Sequence, residues 1–330
     1  MSKADLAAAI LWIGVTLYAT FGGADFGAGM WDLLAGGSER GERARERIDV
    51  SIAPVWEANH VWLIFVLVVL WTAFPSTFSA VMTTLYIPLA LAALGIVLRG
   101  SGFAFRHALP GPVRDPATRV FGISSVLTPF FMGTVVGAIA SGEVPAAGDG
   151  DPISSWTGLM PVVTGVLFVA TSAYVAAVFL VRDSGAAGDE ELQRYFIRRA
   201  LAAALVAGGA ALAGVFALHA DARYVYDRLT SEGLPLVILS GACGLAALGL
   251  LTRGITTAIR PLAVVAVVAV IWGFFVAQFP YMLPTTLRIG EAAGASATLT
   301  SVIVVFVAAA VTVLPSLGLL YVLSQRRALE

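Results

Sequence analysis

The stretch RRALAAALVAGGAALAGVFALH, Arg198 to His219, decides the fold class. Two arginines head residues 200–219, a run of 20 without Asp, Glu, Lys or Arg. A helix rising 1.5 Å per residue needs about 20 apolar residues to cross a hydrocarbon core of about 30 Å. The run therefore reads as a membrane-spanning helix with its cations parked at one edge. Eight more stretches follow the same rule: 7–31, 52–74, 76–98, 119–140, 158–181, 234–252, 261–280 and 297–323. The link at Pro75 is so short that the second and third spans are expected to form a tight hairpin.

Composition agrees. Of 330 residues 58% are hydrophobic and 12% charged, and the mean hydropathy is +0.88, whereas soluble domains carry about 25% charge. A net charge of -1 leaves no basic footprint for nucleic acid. The single cysteine, Cys243, cannot build a disulfide framework or a thiolate metal or iron–sulfur site within the chain. Met1 to Asp5 has no basic n-region, so no removable signal peptide is expected. The longest loops, Ser141 to Trp156 and Arg182 to Arg199, are too short to fold alone, which leaves one transmembrane domain, 1–330.

Lys and Arg in short loops keep those loops in the cytoplasm. The segments after spans one, three, five and seven, with the C-terminus, hold 16 of the 20 basic residues, Arg99 and Arg106 among them. Lys3, Arg223, Arg228 and Arg288 remain for the other side. The expected fold is all-α, with nine transmembrane helices, the N-terminus outside and the C-terminus cytoplasmic, arranged as two four-helix bundles plus one peripheral helix.

A carboxylate at the centre of a span costs about 2.5–3.5 kcal/mol on insertion scales, so a retained one demands a reason. Asp25 lies in the first span within Gly22-Gly23-Ala24-Asp25-Phe26-Gly27-Ala28-Gly29, and Glu57 opens the second within Trp56-Glu57-Ala58-Asn59-His60-Val61-Trp62. Helical spacing sets Trp56, Asn59 and His60 on one polar and aromatic face. Gly23 and Gly27, four apart, let another helix approach and screen Asp25 from lipid. Proton exchange and simple hydrogen bonding near the headgroups are both open to these two acids; Asp32 and Asp49 read as interfacial. His107 and His219 are poorly placed for a shared cofactor, so a two-histidine haem is not expected, although His60 alone could ligate iron from one side.

These motifs resemble subunit II of the cytochrome bd-type quinol oxidases. The likeness rests on the glycine-rich segment around Asp25, on the run from Ser51 through Pro54, Trp56, Glu57, Asn59 and His60 to Trp62, on Gly102-Phe-Ala-Phe-Arg106, and on Phe279-Pro280-Tyr-Met-Leu-Pro284. The resemblance implies a multi-pass subunit of a terminal oxidase in the bacterial cytoplasmic membrane, oxidising quinol and reducing oxygen to water. It implies no catalytic residue, metal ligand or haem ligand in this chain. Haem b and haem d, or haem b only, belong to a partner subunit I; a structural quinone and small single-helix accessory subunits complete the expected set. By the same resemblance Glu57 and Asp25 fall on a proton pathway, Trp56, Asn59 and His60 support it, and Trp62 marks an oxygen route. Two departures stand out: Gly22 replaces an acid common in the first motif, and His60 stands where some relatives have glutamine. The alternative from the residues alone is a proton-coupled membrane transporter.

Overall fold

The computed structural model describes residues 2–52, 56–108 and 114–325, with side chains throughout except at 52, 56–58, 107, 114, 115, 314 and 317–325. Ser2 caps the first helix: its hydroxyl accepts the Asp5 N–H while the Asp5 carboxylate accepts the Ser2 N–H, so two orphan donors are satisfied reciprocally. Helix α1 (Lys3–Leu17) widens into a π-helical turn, Tyr18–Gly22, and resumes as α2 (Gly23–Leu33). Just before and within that turn the Thr16 and Thr20 hydroxyls donate to the carbonyls of Trp12 and Thr16, side-chain bonds that bend helices. An amphipathic helix α3 (Glu39–Ile52) follows, with Ala44 and Ile48 buried and Glu39, Arg40, Glu42 and Glu46 exposed.

Helix α4 (Trp56–Ala73) and α5 (Pro75–Thr84) meet at 116°. This corrects the expected hairpin. Phe74 precedes a proline, which pushes it out of the α region, and it sits at φ -134°, ψ 61°. Pro75 then opens α5 at a first-turn position where its missing N–H costs nothing. With 10 residues, α5 is about 15 Å long, half of what a crossing needs. The third span is instead carried by α6 (Tyr86–Ala108), whose crossing segment is Tyr86–Arg106. Its start is shifted some ten residues later than 76–98, with Pro88 in its first turn.

The remaining elements are α7 (Arg114–Ala140), a single turn α8 (Ser154–Thr157), α9 (Leu159–Ala186), α10 (Glu190–Asp221), α11 (Arg223–Leu229), α12 (Leu234–Thr252) and α13 (Ile259–Gln278). A two-stranded antiparallel hairpin, β1 (Tyr281–Leu283) with β2 (Leu287–Arg288), then α14 (Ile289–Ala292) and α15 (Ser296–Gln325) close the chain. Among the described residues eight helices are long and apolar enough to cross a membrane, and the bent α4–α5 pair makes nine.

Helices α2, α6, α7 and α9 form a four-helix group with α10 laid on α9. Its core joins Trp31, Phe121, Val178 and Phe196. Close approach needs glycine here: a Cβ on Gly27 would run into the main chain at Ser172 of α9. A second, looser group has α4 and α15 against α1, and α12 against α13. Only 6% of the α15 span and 11% of the α12 span are buried, so these two helices lie at the periphery.

Candidate functional site

Asp25 lies in the first turn of α2, directly after the π-helical turn, on the side that packs against α7 and α9. Its Oδ1 accepts Arg99 Nη2 of α6 at 2.7 Å, and both side chains are 1% exposed. Arg99 also donates from Nε to Ser125 Oγ at 3.0 Å and from Nη2 to the Asp25 carbonyl at 3.2 Å. One turn-pair further along the same two helices the arrangement repeats. Asp32, fully buried, accepts Arg106 Nη1 at 2.5 Å, and Arg106 Nη2 also reaches Asp49 of α3. Arg45 Nε approaches the other oxygen of Asp32 at 3.6 Å. Each rung spans the same 74 residues of sequence, because the acids and the arginines are both seven apart, about two helical turns.

The two rungs share an aromatic ring. Phe121 of α7, fully buried, has Arg99 Cζ 4.8 Å and Arg106 Cζ 4.1 Å from its centroid, and Arg99 also lies over Phe26 at 5.1 Å. The planar guanidinium suits this: its edges donate to oxygens while its faces stack on rings. Arg99 and Arg106, which the sequence-derived boundaries assign to a loop, are thus buried in the bundle. Asp32, in the last turn of α2, is buried too. The signal for this lay in the matched spacing of Asp25 with Asp32 and Arg99 with Arg106.

Asn59 is buried and donates to the Phe21 carbonyl at 3.3 Å, tying α4 to the π-helical turn. His60 is half-buried within electrostatic reach of Arg99 and Asp25. The phenol of Tyr18 sits near the same pair, its hydroxyl 3.8 Å from Met132 Sδ. Trp62 packs edge-on to Phe65 at 6.3 Å. The side chains of Trp56 and Glu57 lie outside the described residues. Gly22 is packed under Tyr18: a Cβ there would stand 3.0 Å from Cε2 of that ring.

Haem ligation asks for one or two axial groups aimed at one iron. His60 lies beside the Asp25–Arg99 pair, whereas His219 is in the last turn of α10, 2.6 Å from Arg223 Nη1. The two do not converge. Among the described residues no group of three or more His, Cys, Asp or Glu is placed to hold a metal ion.

Fold and site together define a polytopic α-helical membrane protein whose first bundle encloses a charge-compensated polar centre. The sequence profile for cytochrome bd terminal oxidase subunit II matches residues 4–324, and the chain belongs to that family. It is 27% identical to cytochrome bd ubiquinol oxidase subunit 2 of Bacillus subtilis over 246 residues, 71% of this chain and 67% of the relative. It is 33% identical to cytochrome bd-I ubiquinol oxidase subunit 2 of Escherichia coli K12 over 101 residues, 30% of this chain and 26% of that protein. The fold is similar to the solved bd oxidase of Geobacillus thermodenitrificans, with a TM-score of 0.82 at 23% identity, covering 97% of this chain and 98% of the other. The family is part of the haem-containing cytochrome bd oxidase.

Proposed function

We propose that this chain is the haem-free subunit II of a quinol-oxidising, oxygen-reducing complex in the bacterial cytoplasmic membrane. It packs beside a subunit I that carries haem b with haem d, or haem b alone. Quinone and small single-helix subunits belong to the same reading. The N-terminus lies outside and the arginine-rich end faces the cytoplasm, a reading the Lys and Arg distribution supports.

Within that complex the chain helps deliver protons. The observation that carries this is the state of Asp25: Oδ1 is held by Arg99 at 2.7 Å, while Oδ2 is buried without a hydrogen-bond partner among the described residues. Arg99 fixes the carboxylate in place, and Oδ2 remains as an acceptor. Glu57, on the turn of α4 that precedes Asn59, exchanges protons with the cytoplasm, and Trp56, Asn59 and His60 support the path. Trp62 and Phe65 begin an apolar way for oxygen.

The test uses the purified oxidase complex. Glu57→Gln is expected to slow quinol-driven oxygen consumption at least tenfold, about 1.4 kcal/mol of barrier, with the reduced-minus-oxidised haem spectrum unchanged. Haem loss in parallel with turnover would make Glu57 structural. A native complex without any haem-bearing partner would overturn the oxidase reading itself.

A further inference from the structure

A second cationic cluster lies outside the ion-pair ladder. Two guanidinium groups sit on the ring of Tyr195, early in α10: Arg199 from the same helix, 3.4 Å from the centroid, and Arg40 from α3, 5.9 Å away. They repel one another. Among the described residues neither has a carboxylate within 4.0 Å, although neighbours do: Arg43 holds Asp189 and Glu191 at 2.6 and 2.8 Å. Arg199 reaches the Leu34 carbonyl at only 3.5 Å, and its Nε and the Tyr195 hydroxyl are buried without hydrogen-bond partners among the described residues. Stacked guanidinium groups without a carboxylate partner keep their terminal nitrogens for an oxyanion.

The adjoining surface narrows the anion to one class. From Arg199, residues Ala202, Val206, Gly209 and Ala213 recur at intervals of three and four and are all exposed, forming one outward stripe on α10. A Cβ on Gly209 would meet nothing within 4 Å, so no described residue covers the apolar stripe there. One leaflet of hydrocarbon is about 15 Å deep, or about ten residues of helix. Counted from the arginines, that depth ends at Gly209. A free phosphate would have no use for the stripe, whereas an acyl chain fits its length.

We propose that Arg40, Arg199 and Tyr195 hold the phosphate of an anionic phospholipid whose acyl chain lies along α10 from Ala202 to Gly209. The lipid neutralises the repulsion and seats α3 and α10 against the same headgroup.

The whole oxidase complex, delipidated in detergent, is exposed to phosphatidylglycerol or to phosphatidylcholine of matched chains, and bound lipid is counted by native mass spectrometry. Two arginines at a headgroup are expected to favour the anionic lipid roughly thirtyfold. The double variant Arg40→Gln with Arg199→Gln should abolish that preference, and the double lysine variant should restore part of it. Arg194→Gln should leave it intact, since Arg194 Nε is bonded to the Glu190 carbonyl of its own turn at 3.2 Å. Equal retention of the two lipids by the unaltered complex would overturn the proposal, whether or not the variants assemble. So would an undiminished preference in the glutamine double variant, or displacement of the lipid by millimolar inorganic phosphate, which would mark a free-anion site.

Discussion

Replacing Arg99 by glutamine should cost this protein about as much as losing a large core side chain. The pair it breaks is 1% exposed on both sides, and removing one partner of such a pair costs about 3–5 kcal/mol. Asp25→Asn should cost less than Arg99→Gln, because Arg99 keeps Ser125 Oγ, the residue 25 carbonyl and two aromatic rings. The double replacement should recover most of the loss, since exchanging both charges of a buried pair is often near neutral. The assay is the thermal midpoint of the purified complex, where about 4 kcal/mol corresponds to roughly 8 °C for a chain of this size class. An Arg99→Gln complex as stable as the unaltered one, or a double variant no better than Arg99→Gln, would refute the reasoning.

Three further outcomes follow from the same geometry. Phe121→Leu removes the ring shared by Arg99 and Arg106, and two buried cation–π contacts of about 0.5–2 kcal/mol each predict a loss of about 2–3 kcal/mol, read as a lower thermal midpoint. Gly22→Asp should lower the recovery of assembled complex, and Tyr18→Ala should restore it, because the Tyr18 ring must shift to admit a Cβ at Gly22; haem-bearing complex recovered by affinity purification reports the rescue. The Ser154 and Ile153 N–H groups donate to Asp151 at 2.7 and 2.9 Å and hold its carboxyl below the usual range. A carboxyl depressed in the folded state contributes stability above its unfolded value of about 3.9 and loses it as pH falls through the folded value. Amide exchange at Ser154 should therefore accelerate below about pH 4, and Asp151→Asn should remove that dependence.

Runs without charge, such as 200–219, mark helices whose solvent is lipid, and they were legible because the bilayer imposes one length on all of them. The boundaries at Pro75 were not, since hydropathy runs straight through Phe74 and cannot register a backbone turned at one residue. Pro88, in the first turn of α6, was the available sign that the third span starts later. The π-helical turn at Tyr18–Gly22 has no compositional mark at all. Asp25 was legible as a buried acid through its depth, but its partner was not, because an arginine at the end of an apolar run looks like a loop residue whether it points to water or to the core. Asn59 was read from spacing, and its bond to Phe21 depends on the tertiary approach of α4 to the widened turn. Glu57 and Trp56 rest on sequence alone.

The ladder also bears on how the chain enters the membrane. Helix α2 carries Asp25 and Asp32 and no cation, while α6 carries Arg99 and Arg106 and no acid. An unpaired charge in the apolar region is disfavoured, by about 2.5–3.5 kcal/mol at its centre and by less toward its edges. During synthesis the first span must therefore wait 74 residues for the groups that neutralise it. Until α6 arrives it is the sort of incompletely satisfied helix that insertion machinery holds and proteases survey. Completion of the two rungs is then the step that commits the first bundle to the bilayer.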